Sequence, residues 1–263
     1  MAIKDITLGQ YYPAVSTLHS LDARTKIIST LVYLAALFCV DTFYGFALAA
    51  AFLAFCIALS RVPAKLALRS LKPILVLVIF TAIFNIFTGE GEVLLAIGKL
   101  HITDGGLLRA AFMSIRLALL ILGTTLLTYT TKPVALTDGL ERLLSPLSAI
   151  GLPAHTIAMT TTIALRFIPT LLGETDKIMK AQTARGADFE SGKLLQRAKA
   201  LIPLLVPLFV SAFRIAGDLA MAMDARCYRG GSGRTRMNEM KLRSRDFATF
   251  AAMAVFLALE ILL

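Results

Sequence analysis

The sequence predicts an all-α, polytopic membrane protein with about five transmembrane helices and long amphipathic helices on the cytoplasmic side. Of its 263 residues, 57% are hydrophobic and 17% are charged, whereas soluble domains carry about 45–50% and about 25%. The apolar residues also gather into runs long enough to cross a bilayer, which takes roughly 17–25 helical residues. Composition and clustering therefore both indicate a chain embedded in lipid.

The net charge of +10 is distributed in a way that favours a membrane surface over a nucleic acid. The basic residues lie between and after the apolar runs, which is the pattern of cytoplasmic loops. A nucleic-acid-binding protein would need a separate basic domain or patch. We therefore expect the lipid bilayer as a partner, and no nucleic acid.

Residues 1–131 consist of an N-terminal segment followed by four apolar runs. The link at Asp41 between the first two runs is so short that we expect a helical hairpin there. The next loop is cationic and should be cytoplasmic, whereas the acidic stretch 90–106 suits the outside. Arg116 lies inside the fourth run and should face protein or a polar cavity. The runs cover about 27–40, 43–60, 73–88 and 107–131, and the loop cations are Arg61, Lys65, Arg69 and Lys72.

Residues 132–245 form a basic region that holds 17 of the 27 lysines and arginines. Three helices are predicted in it, at about 134–149, 154–185 and 199–228. The second is amphipathic, so it should lie on a membrane surface or against a partner and not span. The third is apolar in its first half, where Pro203 and Pro207 are expected to bend it.

The last segment, residues 246–263, should contain the fifth span. Lys241, Arg243 and Arg245 precede it and are expected to hold that end in the cytoplasm. An odd number of spans then places the N-terminus in the cytoplasm and the C-terminus outside. The result is a consistent multi-pass topology.

A short pattern occurs at the expected C-terminal ends of the two long cytoplasmic helices. Ala184, Arg185 and Gly186 end one helix, and Ala225, Arg226 and Cys227 end the other. An ordinary helix end explains one copy, because a cation interacts favourably with the helix dipole and a glycine can adopt the left-handed conformation that stops a helix. Two copies favour a second interpretation, in which each arginine offers a planar donor fork to carboxylates of a partner.

Three blocks in the same order carry a resemblance to a known family. They are residues 9–26 (GQYYPAVSTLHSLDARTK), residues 164–186 with ALRFIP and AQTARG, and residues 203–229. Across nearly its whole length the chain resembles the transmembrane T component (EcfT/CbiQ family) of energy-coupling factor transporters, which are ABC-type transporters. It departs from the family at Cys227, where glycine is usual, and at Ala23, where proline is common. Cysteine at 227 weakens the expectation of left-handed backbone there.

The resemblance implies a non-catalytic coupling subunit in the cell membrane of a prokaryote. Its partners would be two ABC-type ATPase subunits, docked on the two arginine-bearing helix ends, and a small substrate-binding membrane S subunit that carries a vitamin or metal ion. ATP binding would draw the helix ends together, shift the helices and reorient the S subunit. Pro169, Pro203 and Pro207 are the expected places for pivoting, although prolines can equally be static kinks.

No catalytic residue, cofactor or metal site is expected in this chain. His19, His101 and His155 are scattered without ligand neighbours, and the sequence contains neither a phosphate-binding loop nor a zinc motif. A self-sufficient secondary transporter or channel stays open as the alternative, but it predicts ionisable groups within several spans. A membrane enzyme would need a clustered nucleophile, base or metal set.

Charged residues along the long helices are expected to make local or inter-helix contacts. Arg214 and Asp218 are four residues apart and should pair on one helix face. Arg166 and Glu174 share roughly one face and could bridge to another helix.

Overall fold

The computed structural model describes residues 11–88, 93–97, 100–146, 153–187, 189, 201–230 and 240–263. Four expectations fall partly outside these ranges. They concern residues 9–10 of the first block, residues 90–92 and 98–99 of the acidic stretch, residues 147–149 of one predicted helix and residues 199–200 of another.

The chain divides into two compact units, each described by itself. The larger unit comprises Gly9–Leu143 and Glu239–Leu263, and the smaller one comprises Met1–Leu8 and Leu144–Asn238. The division predicted from the sequence, at residues 131/132 and 245/246, stays a prediction.

The larger unit contains most of the apolar helices. Its elements are α1 (Ala23–Cys39), α2 (Phe43–Ser60), α3 (Ala64–Arg69), a 3-10 turn (Lys72–Ile74), α4 (Leu75–Thr88), β1 (Val93–Ile97), β2 (Leu100–Thr103), α5 (Asp104–Thr130), α6 (Pro133–Leu144, which reaches the boundary) and α9 (Ser244–Leu262). The smaller unit contains α7 (Ala154–Ala184) and α8 (Ile202–Ala225).

Local capping residues set the starts of the helices. The Asp22 carboxylate accepts the Arg24 amide at the start of α1, and Thr42 accepts the Gly45 amide at the start of α2. Such side-chain oxygens satisfy amides that have no partner within the helix. Only residues 40–42, with Asp41 in the middle, separate these two helices, and Tyr33 of α1 contacts Ala49 and Phe52 of α2, so the predicted hairpin is confirmed.

Two features differ from the expected loops. The cationic segment after α2 is largely helical, because it contains α3 and the 3-10 turn that leads into α4. Beyond α4, β1 and β2 pair antiparallel, with Val93 opposite Thr103 and Ile97 opposite Leu100. Neither was predicted, since both segments are short and carry no strong periodic signal.

Five helical stretches in the described part of the chain are long and apolar enough to cross a membrane, so the fold class and the number of candidate spans are confirmed. They are Phe43–Ser60, Ala64–Phe87, Asp104–Thr130, His155–Ala184 and Ile202–Ala225. Only the first three correspond to predicted spans. The expectation that α7 does not span is thus not supported by its length and composition. The two other predicted spans are not among these five stretches. Helix α1 has only 17 residues, and α9 carries the charged residues Arg245, Asp246 and Glu260.

The core of the larger unit joins α1, α2, α5 and α9. Three aromatic rings stack across it, with centroids 4.5 Å apart for Phe52 and Phe256 and 5.8 Å apart for Tyr33 and Phe256. Gly123 of α5 packs directly on Tyr33, because a Cβ at this glycine would lie 2.8 Å from Tyr33 Cε1. Close approach of this kind is how small residues bring membrane helices together.

Candidate functional site

The end of α7 forms a complete capping motif around Gly186. Arg185 is the last residue of near-helical conformation, and Gly186 follows with a φ of +91°. The Gly186 amide donates to the Thr183 carbonyl at 2.9 Å, and the Ala187 amide donates to the Gln182 carbonyl at 3.0 Å. These two bonds define the Schellman motif, so the predicted role of Gly186 as the left-handed stop is confirmed.

The end of α8 repeats this motif with a cysteine in the glycine position. Cys227 has a φ of 55°, its amide donates to Asp224 at 2.9 Å, and the Tyr228 amide donates to Met223 at 3.1 Å. The left-handed backbone is therefore present at position 227, although cysteine in place of glycine had weakened the expectation of it. The two capping bonds hold Cys227 in a conformation that costs an L-residue about 1–2 kcal/mol.

Both arginines occupy the same position of this motif. Arg185 has φ −87° and ψ 4°, and Arg226 has φ −93° and ψ 11°. Each is exposed, as are its neighbours in the three-residue pattern, Ala184, Gly186, Ala225 and Cys227. Within the part of the chain that the structure describes, neither guanidinium makes a side-chain hydrogen bond or an ion pair. As far as the described residues go, both donor forks are therefore open to an external acceptor.

Helices α7 and α8 run antiparallel. Tyr228 Oη, just beyond α8, donates to Met159 Sδ near the start of α7 at 2.8 Å, while Ser211 of α8 hydrogen-bonds Glu174 far along α7. The contact nearer the end of α8 therefore lies nearer the start of α7, which means that the two helices point in opposite directions. At about 1.5 Å per residue, Arg185 lies roughly 16 Å beyond Glu174. The two arginine-bearing ends consequently lie at opposite ends of the pair.

The contacts between these helices test two predictions, the bridge from Glu174 to another helix and the local pair of Arg214 and Asp218. Glu174 does bridge to another helix, through Ser211, and the Arg214 charge also acts on its carboxylate. Arg214 Nη2 lies 3.5 Å from Ser211 Oγ, and no contact joins it to Asp218. The predicted local pair of Arg214 and Asp218 is therefore wrong, because the guanidinium turns towards the inter-helix contact.

The three prolines have different positions. Pro169 lies inside α7 and Pro207 lies inside α8, where each removes one helical hydrogen bond. Pro203 lies in the first turn of α8, where an amide has no helical partner in any case. The expectation that Pro203 bends the helix was therefore wrong, since α8 begins at Ile202.

An exposed apolar stripe follows one side of α8 and was not singled out in the sequence. Its members recur at spacings of three and four residues, which places them on one helix face. They are Ile202, Leu205, Val206, Phe209, Val210 and Phe213, with exposed fractions from 48% to 75%. The spacing of these residues is visible in the sequence, but the sequence does not show which face of α8 packs against α7.

No cluster of three or more His, Cys, Asp or Glu side chains that could hold a metal ion occurs among the described residues. The candidate site therefore consists of the two helix ends and the α8 stripe.

Comparisons with known proteins agree with this architecture. The family model described as "Cobalt transport protein" (CbiQ) matches residues 14–237. A protein of Clostridium kluyveri is 54% identical over 262 residues, covering 99% of this chain and 97% of that protein. One from Thermosediminibacter oceani is 53% identical over 250 residues (95% and 94%), and one from Bacillus subtilis is 46% identical over 253 residues (96% of each).

All three relatives bear the name "Energy-coupling factor transporter transmembrane protein EcfT". The similarity extends over nearly the full length of both chains in each comparison. It confirms the resemblance seen in the three sequence blocks, and it agrees with the apolar helices of a multi-pass membrane protein. The chain therefore belongs to the family of transmembrane components of energy-coupling factor transporters.

Proposed function

We propose that this chain is the coupling subunit of an energy-coupling factor uptake transporter. It transmits ATP-driven motion from two ABC-type ATPase subunits to a small substrate-binding S subunit, for import of a vitamin or metal ion. The chain itself is non-catalytic, and the ATPase partners hydrolyse ATP. One observation carries the proposal: two helices end in the same capping motif, each with an exposed arginine that has no ion-pair partner among the residues that the structure describes.

The chemistry of these ends suits an acidic groove on a partner. A guanidinium binds a carboxylate through two parallel hydrogen bonds, which gives direction as well as affinity. The capping bonds fix the backbone at each arginine, so docking costs little conformational entropy there. Ala184 and Ala225 precede the arginines and keep each helix tip narrow enough to enter a groove.

The proposal places the α7–α8 pair along the cytoplasmic surface of the membrane, so that both arginines meet cytoplasmic partners. The antiparallel arrangement then favours two ATPase subunits over one. Arg185 and Arg226 lie at opposite ends of the α7–α8 pair, so a single small groove would not hold both. Motion of either ATPase reaches the other helix through the contacts of Glu174 with Ser211 and of Met159 with Tyr228. The interior prolines Pro169 and Pro207 are the proposed pivots, because each interrupts the ladder of helical hydrogen bonds.

The exposed stripe of α8 is the proposed docking surface for the S subunit. An S subunit is itself a membrane protein, so its apolar helices can cover this stripe without exposing polar backbone. Tilting of α8 would then change the surface offered to that subunit. The proposal places the protein in the cell membrane of a prokaryote, with the N-terminus in the cytoplasm and the C-terminus outside, as the basic segments favour.

The test is a pull-down of tagged, coexpressed chain in mild detergent, with partners identified by mass spectrometry. Wild type should bring down two ATPase subunits and one small membrane protein. Arg185→Glu combined with Arg226→Glu should lose both ATPases, since carboxylates would then face carboxylates. Each single substitution should weaken ATPase recovery only in part.

The matched control reverses two other exposed arginines in the last turns of helices, Arg69 in α3 and Arg142 in α6. This double variant has the same net charge and should retain both ATPases. If the variant with both Arg185→Glu and Arg226→Glu retained the ATPases, the proposal would be contradicted. Wild-type protein that recruits no ATPase and transports alone in liposomes would instead support the secondary transporter.

A further inference from the structure

The larger unit contains a cavity of about 420 Å³ among α1, α2, α5 and α9. Its size falls within the range of about 300–1,000 Å³ that small-ligand sites occupy. Tyr33, Leu53 and Met253 in its lining are buried, whereas Phe55 and Leu59 are exposed. The cavity is therefore a pocket that opens on one side of the helix group.

The pocket is elongated and apolar along most of its length. On α1 its lining extends from Lys26 to Tyr33, which corresponds to about 10 Å of helix, and on α9 it extends from Arg245 to Met253, about 12 Å. Leucine, phenylalanine, alanine and methionine dominate between these ends. Such a shape suits a hydrocarbon chain that lies parallel to the helices.

Two cations line the end at which α1 and α9 begin. Lys26 is only 9% exposed, and its Nζ donates to the carbonyl oxygens of Thr130 at 2.8 Å and His19 at 3.2 Å. An ammonium has three donors, so as far as the described residues go one remains for a ligand. Arg245 is exposed, and among those residues its Nη1 contacts the Ser20 hydroxyl at 3.2 Å.

The carboxylates near these cations already have other donors. Asp22 is held by the Arg24 guanidinium at 3.0 Å. Asp246 accepts the backbone amides of Asp22 at 2.9 Å and Arg243 at 2.8 Å. The charges of both acids also act on Lys26, but Arg24, Lys26 and Arg245 together outnumber the two carboxylates, so this end of the pocket keeps a net positive charge.

A further polar residue stands in the wall of the pocket near its cationic end. Ser29 lies one turn beyond Lys26 in the lining, and within the described part of the chain its buried Oγ has no hydrogen-bond partner. The wall at this level is therefore less apolar than it is farther along the pocket.

We propose that this pocket binds an anionic phospholipid, with one acyl chain between the helices and the phosphate at Lys26 and Arg245. The ester oxygens of the lipid reach the level of Ser29, and the chain extends towards Tyr33 and Met253. The occupant follows from the distribution of charge: cations at the membrane-surface end of a pocket that is otherwise hydrocarbon-like. A neutral detergent-like molecule would leave the net positive charge of this end without an added anion.

The chain contains no tryptophan, so one introduced tryptophan reports on one place. Phe55→Trp puts a pocket reporter at the mouth of the cavity, and Phe80→Trp puts a reference reporter on the exposed face of α4. Each full-length variant is reconstituted in phosphatidylcholine vesicles containing brominated phosphatidylglycerol or, at the same mole fraction, brominated phosphatidylcholine. Quenching of the pocket reporter should saturate with phosphatidylglycerol at an apparent affinity about fivefold higher than for phosphatidylcholine. Quenching of the reference reporter should be equal for both lipids.

Two substitutions in the Phe55→Trp background separate charge from volume. Arg245→Gln should remove most of the fivefold preference, and Arg69→Gln, a surface arginine outside the pocket, should leave it intact. Ala252→Phe should fill the pocket and abolish saturable quenching, whereas Ala254→Phe on the same helix should not.

Three results would overturn the proposal: equal quenching of the pocket reporter by both lipids, a preference that survives Arg245→Gln, or saturable quenching by a brominated fatty acid but not by the phospholipid. Size-exclusion profiles establish that each variant is folded. Because Arg245 is exposed, its substitution remains informative even where Ala252→Phe fails to fold.

Discussion

Arg116 of α5 reaches the turn between α1 and α2, where its Nη2 lies 3.1 Å from Asp41 Oδ1. The same nitrogen donates to the carbonyl of Val40, the residue that follows α1, and the guanidinium lies 5.5 Å from the centre of the Phe46 ring. The expectation that this arginine faces protein is thereby confirmed. One cation on an apolar helix joins three elements of the larger unit.

Replacement of Arg116 by methionine should destabilise the larger unit by about 1–3 kcal/mol. The Val40 carbonyl would lose a charged donor, and the cation–π contact with Phe46 would disappear. Asp41→Asn should have a much smaller effect, because the Asp41 side chain is 88% exposed and exposed ion pairs contribute little. Thermal unfolding in detergent, followed by circular dichroism, compares the two. Equal losses would show that the ion pair, and not the carbonyl contact, dominates.

Gly123→Ala should also destabilise the larger unit, by about 1–3 kcal/mol. The new methyl would lie 2.8 Å from Tyr33 Cε1, so the ring or the helix must move in a packed core. Gly217→Ala in α8 is the control, because a Cβ there meets nothing within 4 Å. It should stabilise its helix by up to about 1 kcal/mol. If Gly123→Ala left the stability unchanged in the same unfolding assay, the α1–α5 contact would have to adjust to the added methyl group without cost.

Cys227→Gly should stabilise the end of α8 by about 1 kcal/mol, since glycine adopts a positive φ without steric cost. Cys227→Ala should leave stability unchanged, because it keeps a Cβ and removes only the thiol. The opposite substitution, Gly186→Ala, should loosen the end of α7, where φ is +91°. Hydrogen–deuterium exchange of the two capping amides in each motif measures these changes. Faster exchange in Cys227→Gly would contradict the assignment of strain to Cys227.

Stability of the N-terminal segment should fall below neutral pH because of His19. Its Nε2–H donates to the Tyr12 carbonyl at 3.0 Å, and its Nδ1 accepts the Ser16 hydroxyl at 2.7 Å. Burial and the nearby Lys26 ammonium hold the pKa of His19 below its ordinary value of 6.5, against the opposing effect of the bond to Tyr12. Protonation would also convert Nδ1 from an acceptor into a donor.

The sign of the pH effect follows from proton binding. Between pH 6.5 and the lower folded pKa of His19, the unfolded chain binds more protons than the folded one, so stability rises with pH. The contribution is complete above about pH 6.5 and is lost as the pH falls through the folded pKa. Melting temperatures of wild type and His19→Gln should therefore diverge least at about pH 5 and most at about pH 7.5. A constant difference across this range would exclude His19 as the titrating group.

Glu260→Met should raise stability by about 1–3 kcal/mol. Glu260 is 7% exposed in α9, and within the described part of the chain neither carboxyl oxygen has a hydrogen-bond partner. Removal of a buried, unsatisfied polar group favours the folded state. The same detergent unfolding assay applies, with Leu259→Met as a nearby apolar control. A destabilised Glu260→Met would reveal that this carboxyl has an unrecognised partner.

Much of the secondary structure follows from the sequence, because its causes are local. Apolar runs, the break at Asp41 and the stop at Gly186 each depend on residues within a few positions of one another. The matched arginines at 185 and 226 were visible for the same reason. The left-handed Cys227 was not, because two capping bonds within the folded motif outweigh the residue's own preference.

What the sequence alone determined is the membrane class, the family resemblance, most helix bounds and the paired arginine-bearing ends. Only the tertiary structure decided which apolar faces pack together, that α7 and α8 run antiparallel, that Arg116 binds the α1–α2 turn and that a pocket with two cations lies among four helices. The physical reason is that lipid and protein interior are equally apolar. Hydropathy therefore shows that a helix avoids water, but it does not show which of its faces meets lipid and which meets another helix.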